Sequence, residues 1–151
     1  MIRKAAPADA SRIAEILVFT KRVNYRAIFN DDVGSFVELQ VYPLARAYIE
    51  NPDALRDVWV YDDGIVRGML HARDGEIVEL YVDSFFENRG IGGHLIEFAV
   101  RELNCSRLWV LDKNVCAKRF YARHGFTLTG ERMPEGDTGE TIVMMRRQGD
   151  N

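Results

Sequence analysis

The chain of 151 residues has little cysteine: Cys105 and Cys116 only, and not as a C-x-x-C pair. No Cys/His cluster has the spacing of a zinc site, so no metal is expected. Two reduced thiols point to a cytosolic setting. No run approaches the roughly 20 apolar residues that span a bilayer. The opening segment from Met1 to Pro7 lacks the apolar core of a signal peptide, and Asp9 and Glu15 follow soon after. The expectation is therefore a cytoplasmic protein with no membrane partner. An excess of basic residues is also missing. A formal net charge of -3 argues against nonspecific nucleic-acid binding, which needs a basic surface. Repeats, linkers and low-complexity tracts are absent. One domain over residues 1–147 is expected, with 148–151 as a disordered tail. Such a length buries a sizeable core without disulfides or metals.

What is present alternates between two periodicities. Ile2 to Ala5 reads as a short strand. Pro7-Ala8-Asp9 starts a helix in which Ile13, Ile16, Leu17 and Thr20 recur at helical spacing. A second helix is predicted from about Val33 to Glu50, kinked or split at Pro43. Val58–Tyr61, Asp62-Asp63-Gly64 and Ile65–His71 form a hairpin pattern, since Asp-Gly favours a tight turn. Arg73-Asp74-Gly75 turns the chain again into a strand over Glu76–Val82. A helix to about Leu103, a strand at Leu108–Leu111 and a short helix over Asn114–Arg123 follow, the last stopped by His124-Gly125. Phe126–Gly130 and Thr141–Met145 are the last two strands, joined by a polar loop over Glu131–Glu140. The strand–helix–strand unit implies a parallel pair. The expected fold class is α/β (α+β). Its central sheet is mixed and mostly antiparallel, with one splayed parallel pair and flanking helices. A crevice opens at the carboxyl ends of such a parallel pair, and ligands bind there.

The segment Glu87-Asn88-Arg89-Gly90-Ile91-Gly92-Gly93 sits between the strand ending at Val82 and the next helix. Glycine lets the backbone approach a ligand and take positive φ at little cost. The first-turn N–H groups lack intrahelical partners, and the helix dipole adds positive character. Together these make a main-chain phosphate site. The segment lacks the third glycine of a dinucleotide fingerprint and the Lys-Ser/Thr of a P-loop.

At this point the sequence resembles the GNAT superfamily of acyl-CoA-dependent N-acetyltransferases. The family motif Gln/Arg-x-x-Gly-x-Gly/Ala stands here as Glu87-Asn88-Arg89-Gly90-Ile91-Gly92, with both glycines matched and Glu87 replacing Gln or Arg. A second family motif stands as Asn114 to Phe126, with Phe120-Tyr121 and Gly125-Phe126 in place. The resemblance spans roughly the whole chain and is specific from Glu76 to Phe126. It implies acetyl-CoA as cosubstrate. The pyrophosphate would lie on the turn Glu87–Gly93, and the pantetheine arm along Leu80, Tyr81 and Val82. Asn114, Ala117, Phe120 and Tyr121 would contribute from the later helix. It further implies that Tyr121 protonates the leaving thiolate, a role that suits a phenol of ordinary pKa ~10. Glu76 stands where some histone-type members carry a base.

Each residue also has a plainer role. Asn114 suits an N-cap, and Tyr121 suits a core position. Glu79 is an alternative base, and strict alternation puts it on the face opposite Glu76. His94 and His124 read as structural, and His71 has no partner visible in the sequence. Cys116 reads as a buried thiol, and Trp59 and Trp109 as core residues. Tyr25, Phe29, Phe36 and Tyr42, among Asp31, Asp32 and Glu38, read as core with a solvated face or as an amine pocket. The expected activity is acetyl transfer to a primary amine of a small molecule or protein. The alternatives are a non-catalytic acyl-CoA sensor and, further off, a nucleotide-binding regulator. A homodimer is compatible with the sequence, and nothing in it demands one.

Overall fold

The computed structural model describes residues 1–29, 41–83, 89–136 and 139–148, and the side chains at 21–29, 41–44 and 52 lie outside that description. The described elements are β1 (Ile2–Lys4), α1 (Ala10–Phe29), α2 (Val41–Glu50), β2 (Val58–Asp62), β3 (Val66–Arg73), β4 (Glu76–Val82), α3 (Ile91–Arg101), β5 (Arg107–Leu111), α4 (Val115–Arg123), β6 (Phe126–Pro134) and β7 (Thr141–Arg147). The strands form one sheet in the order β1-β2-β3-β4-β5-β7-β6. β4 and β5 run parallel, pairing Glu76 with Arg107 and Ile77 with Leu108. The expected mixed sheet with one parallel pair is therefore present. Chain contacts group the residues into two compact units, Met1–His71 with Glu79–Leu95, and Ala72–Val78 with Ile96–Asn151.

The first unit is built on the apolar stripe of α1. Ile13, Ile16 and Leu17 are buried with Leu55, Val58, Val60, Val66 and Met69, and Ala5, Tyr48 and Tyr81 pack against them. Burying one such aliphatic side chain contributes about 1.5–3 kcal/mol relative to leaving it exposed. The helix start is fixed by polar contacts. Arg3 donates to both carboxylate oxygens of Asp9, at 2.8 and 2.9 Å, and the Ala6 N–H donates to Asp9 at 2.8 Å. These bonds hold the Asp9 carboxyl below its ordinary range, the Arg3 bond most of all. Pro43 lies within α2. The expected helical stretch from Val33 to Gln40 lies outside the described residues.

The exit of β4 is clamped to α1. Arg12 donates Nε to the Val66 carbonyl at 2.8 Å and Nη1 to Glu15 at 3.0 Å, and its Nη2 reaches Asp83. The Asp83 N–H donates to the Arg67 carbonyl at 2.9 Å. The first turn of α3 is seated on Gly68 of β3. A Cβ built there meets Leu95 Cδ1 at 3.0 Å, Ile91 Cγ2 at 3.2 Å and the Tyr81 carbonyl at 3.2 Å. Gly68→Ala is therefore expected to push α3 outward and cost about 1–3 kcal/mol, as overpacking does. Urea denaturation measures this, and an unchanged midpoint would show that Leu95 and Ile91 reseat without cost.

The second unit holds the other core. Ile77, Ile96, Ala99, Cys105, Leu108, Val110, Phe126, Val143 and Met145 are buried there. β6 runs on to Pro134, beyond the expected end at Gly130. Arg132, Met133 and Pro134 pair with Val143, Ile142 and Thr141 after a bulge between Leu128 and Arg132. Gly130 takes φ +92 inside that bulge, which resets the register where a polar stretch reads as loop. Pro134 is tolerated because β6 is the edge strand. Cys116 is exposed, contrary to expectation, while Cys105 is buried. Cys116 lies in the first turn of a helix with no buried residue. Trp59 and Trp109 are only half-buried, and Lys4 Nζ lies 4.9 Å from the Trp59 ring centroid. An indole is large and is rarely buried in full.

Candidate active site

In the first unit, Gly90 is the hinge between loop and helix. Its φ is +80, and a Cβ there would meet nothing within 4 Å. Its carbonyl accepts the His94 N–H at 3.0 Å, the first bond of α3. The N–H groups of Ile91, Gly92 and Gly93 thus occupy the first turn, where no helical carbonyl reaches them. Arg89 and Gly90 are exposed, and Ile91 is buried. Glu87 and Asn88 lie outside the described residues. Leu80, Tyr81 and Val82 end β4 half-buried, and Tyr81 packs on the α1 core.

In the second unit, Asn114 caps α4 by accepting the Ala117 N–H at 3.1 Å. The plain capping role is thus realised, and it also fixes the start of the helix that carries Phe120 and Tyr121. The helix stops as the sequence suggests: the His124 N–H donates to Tyr121, the Gly125 N–H to Ala122, and Gly125 takes φ +91. Tyr121 is half-buried. Its ring meets Phe120 edge-on at 5.2 Å and Phe126 at 6.0 Å. Burial pushes its phenol up to about 12, so it holds its proton at neutral pH. Burial likewise lowers His124, whose ring tilts against Phe120 at 4.9 Å. Asp112 receives Lys118 at 3.0 Å and Arg132 at 2.8 Å, tying the end of β5 to α4 and β6.

The two carboxylates of β4 have different surroundings. Glu76 opens the strand 3.8 Å from the Arg107 guanidinium. Glu79 lies 3.8 Å from Nδ1 of His71. His71 is a residue that sequence reasoning could not place, because its partner sits on the next strand. The only signal was the tight Asp74-Gly75 turn that folds β4 back onto β3. His94 stacks near Tyr61 at 6.0 Å, a structural role. The side chains expected to shape an acceptor pocket, from Tyr25 through Asp31, Asp32, Phe36 and Glu38 to Tyr42, lie outside the described residues. A cleft of about 320 Å³ opens at the carboxyl ends of α3 and α4, lined among others by Arg101, Arg123, His124 and Arg147. Its arginines complement the negative ends of the two helices. Among the described residues no helix is long and apolar enough to cross a membrane, and no group of three metal-ligating side chains occurs.

Comparison with known proteins agrees with this architecture. Residues 54–128 match the model of the acetyltransferase (GNAT) domain. An uncharacterized N-acetyltransferase from the pepI 3′ region of Lactobacillus delbrueckii subsp. lactis is 37% identical over 78 residues. That match covers 48% of this chain and 45% of the relative, so the chain spans less than half of that protein's length. The apo form of YjaB from Escherichia coli superposes with a TM-score of 0.77 at 19% identity, covering 99% of this chain and 98% of that one. YncA of Salmonella typhimurium, solved with its cofactor acetyl-CoA, superposes at 0.65 and 22% identity, covering 99% and 94%. At these identities the superpositions establish the fold.

Proposed function

The chain belongs to the GNAT superfamily, and from that premise we propose that it transfers an acetyl group from acetyl-CoA to a primary amine by direct attack in a ternary complex. The observation that carries the reading is Gly90, held at φ +80 with empty space beside it at the start of α3. A backbone of that shape exists at a cost for any residue but glycine, and it turns the amides of Ile91, Gly92 and Gly93 toward one side. These amides are assigned to the pyrophosphate of the coenzyme, with Arg89 supplying positive charge nearby. The reading runs the pantetheine arm along Leu80, Tyr81 and Val82, as an added strand would run. A backbone N–H there would polarise the thioester carbonyl, a contribution of roughly 2.7–4 kcal/mol in other enzymes.

Tyr121 is assigned the protonation of the departing sulfur. Its raised phenol is a proton donor across the physiological range. A sensor of acyl-CoA needs no such donor, so Tyr121 favours the enzyme over the binding module. Alignment of amine and thioester supplies much of the remaining acceleration. The test joins calorimetry with coenzyme A to a thiol-release screen of amines, from amino acids and polyamines to peptides. Binding heat and thiol release with at least one amine are expected. Binding without release would favour the sensor, and the absence of heat would end the reading.

A further inference from the structure

Three guanidinium groups converge on one cleft of the second unit. Arg101 ends α3, Arg123 ends α4 and Arg147 ends β7, and all three line the same cavity of about 320 Å³. Arg147 is held in place there. Its Nε donates to the His124 carbonyl at 3.2 Å. Its stem lies so close to Gly125 that a Cβ on that residue would meet Nε at 3.2 Å and Cγ at 3.5 Å. The glycine, at φ +91, thus gives the arginine its seat. Arg101 and Arg123 are exposed, and among the described residues neither forms a hydrogen bond or an ion pair. The carboxylate of the lining is Glu97, four residues before Arg101. Its charge and that of Arg123 both act on His124, the fourth basic side chain of the cleft.

Charge balance decides what such a cleft can hold. A helix carboxyl end carries roughly half a negative charge, so two of them and Glu97 offset about two of the three guanidinium charges. Arg101 and Arg123 serve the helix ends, and Arg147, which comes from a strand, is the excess. About one positive charge is left over, in a chain whose formal net charge is -3. The apolar part of the lining is Ile96, fully buried, and Val100, half-buried. Ligand sites span roughly 300–1,000 Å³, so a cavity of about 320 Å³ admits only a small molecule. We propose that this cleft binds a small organic oxyanion, a carboxylate or a phosphate monoester on an apolar body the size of a single ring. The forked guanidinium groups of Arg101 and Arg123 take the oxyanion, whose geometry they match, and the body covers Ile96 and Val100. None of these residues is assigned to the coenzyme or to the reaction, so the site is independent of the transferase reading. Its occupant ties the carboxyl end of α3 to that of α4, beside the turn in which the Tyr121 carbonyl accepts the His124 N–H.

Phenyl phosphate and benzoate are the probes, with benzyl alcohol as the uncharged control. Calorimetry at low salt is expected to show heat with at least one of the two anions and none with the alcohol, and the tighter anion identifies the head group. Inorganic phosphate and acetate, which lack the ring, are expected to bind more weakly. Arg101→Ser and Arg123→Ser are each expected to weaken the tighter anion by about tenfold or more, the worth of one hydrogen bond to a charged group. Gly90→Glu, at the turn assigned to the pyrophosphate, is expected to leave that affinity unchanged. In the wild type, amide NMR shifts on titration should centre on Arg101, Arg123, Gly125 and Arg147, a readout that depends on no variant. No heat with either anion at millimolar concentration, full affinity in both arginine variants, or a loss confined to Gly90→Glu would overturn the site. Equal affinity with and without the ring would overturn the apolar half of the assignment.

Discussion

Gly90→Glu is expected to abolish coenzyme A binding in a chain that still folds. A side chain at this position has room, since a Cβ meets nothing within 4 Å. The fold therefore bears only the cost of a non-glycine residue at positive φ, about 1–3 kcal/mol. Binding bears far more. The carboxylate would stand beside the first-turn amides assigned to the pyrophosphate and set like charge against like. Such juxtaposition costs several kcal/mol, which is about 10²-fold or more in affinity. Gly90→Ala carries the same backbone strain without the charge. The difference between the two variants in calorimetry isolates the electrostatic part, and thermal melting confirms that both fold. Retained affinity in the glutamate variant would falsify the pyrophosphate assignment.

Tyr121→Phe is expected to lower kcat by about 10²- to 10⁴-fold, the usual worth of a positioned proton donor. The dissociation constant for coenzyme A should stay the same. The substitution keeps the ring and its edge contacts with Phe120 and Phe126 and removes only the hydroxyl, so folding is preserved. The pH dependence carries a further sign. The phenol acts in its protonated form, and burial raises it to about 12. The acid therefore persists through neutral and mildly alkaline solution, and the wild-type profile of kcat should show no Tyr121-dependent fall until pH nears 12. A fall near the ordinary phenol value of ~10, absent from the phenylalanine variant, would contradict the burial. Equal loss of turnover and coenzyme affinity would contradict the acid role itself.

Much of this molecule was legible before any coordinates. The Asp74-Gly75 turn was expected, and both residues take positive φ, at 51° and 81°. That pair fits a tight hairpin because glycine and aspartate bear such angles most easily. Asn114 was expected as a cap and accepts the Ala117 N–H. The parallel pair of β4 and β5 followed from one helix lying between two apolar runs. Other features failed at the local level. β6 continues to Pro134 because β7 offers it a partner, although the polar stretch from Glu131 carries no strand periodicity. Cys116 belongs to a residue type that is usually buried, yet the first turn of α4 leaves it exposed.

The amino-acid order by itself determined the positive-φ glycine at the start of α3, the capped helix with Tyr121, and the mixed sheet. These depend on backbone preferences and on the spacing of apolar residues within a few turns of chain. Only the tertiary structure decided that Glu79 meets His71, that Arg107 faces Glu76 and that Gly68 seats the start of α3. Each of these is a contact between separate elements. A shift of one residue in register turns a side chain to the other face of a sheet, and such register is fixed by the packing of the whole core.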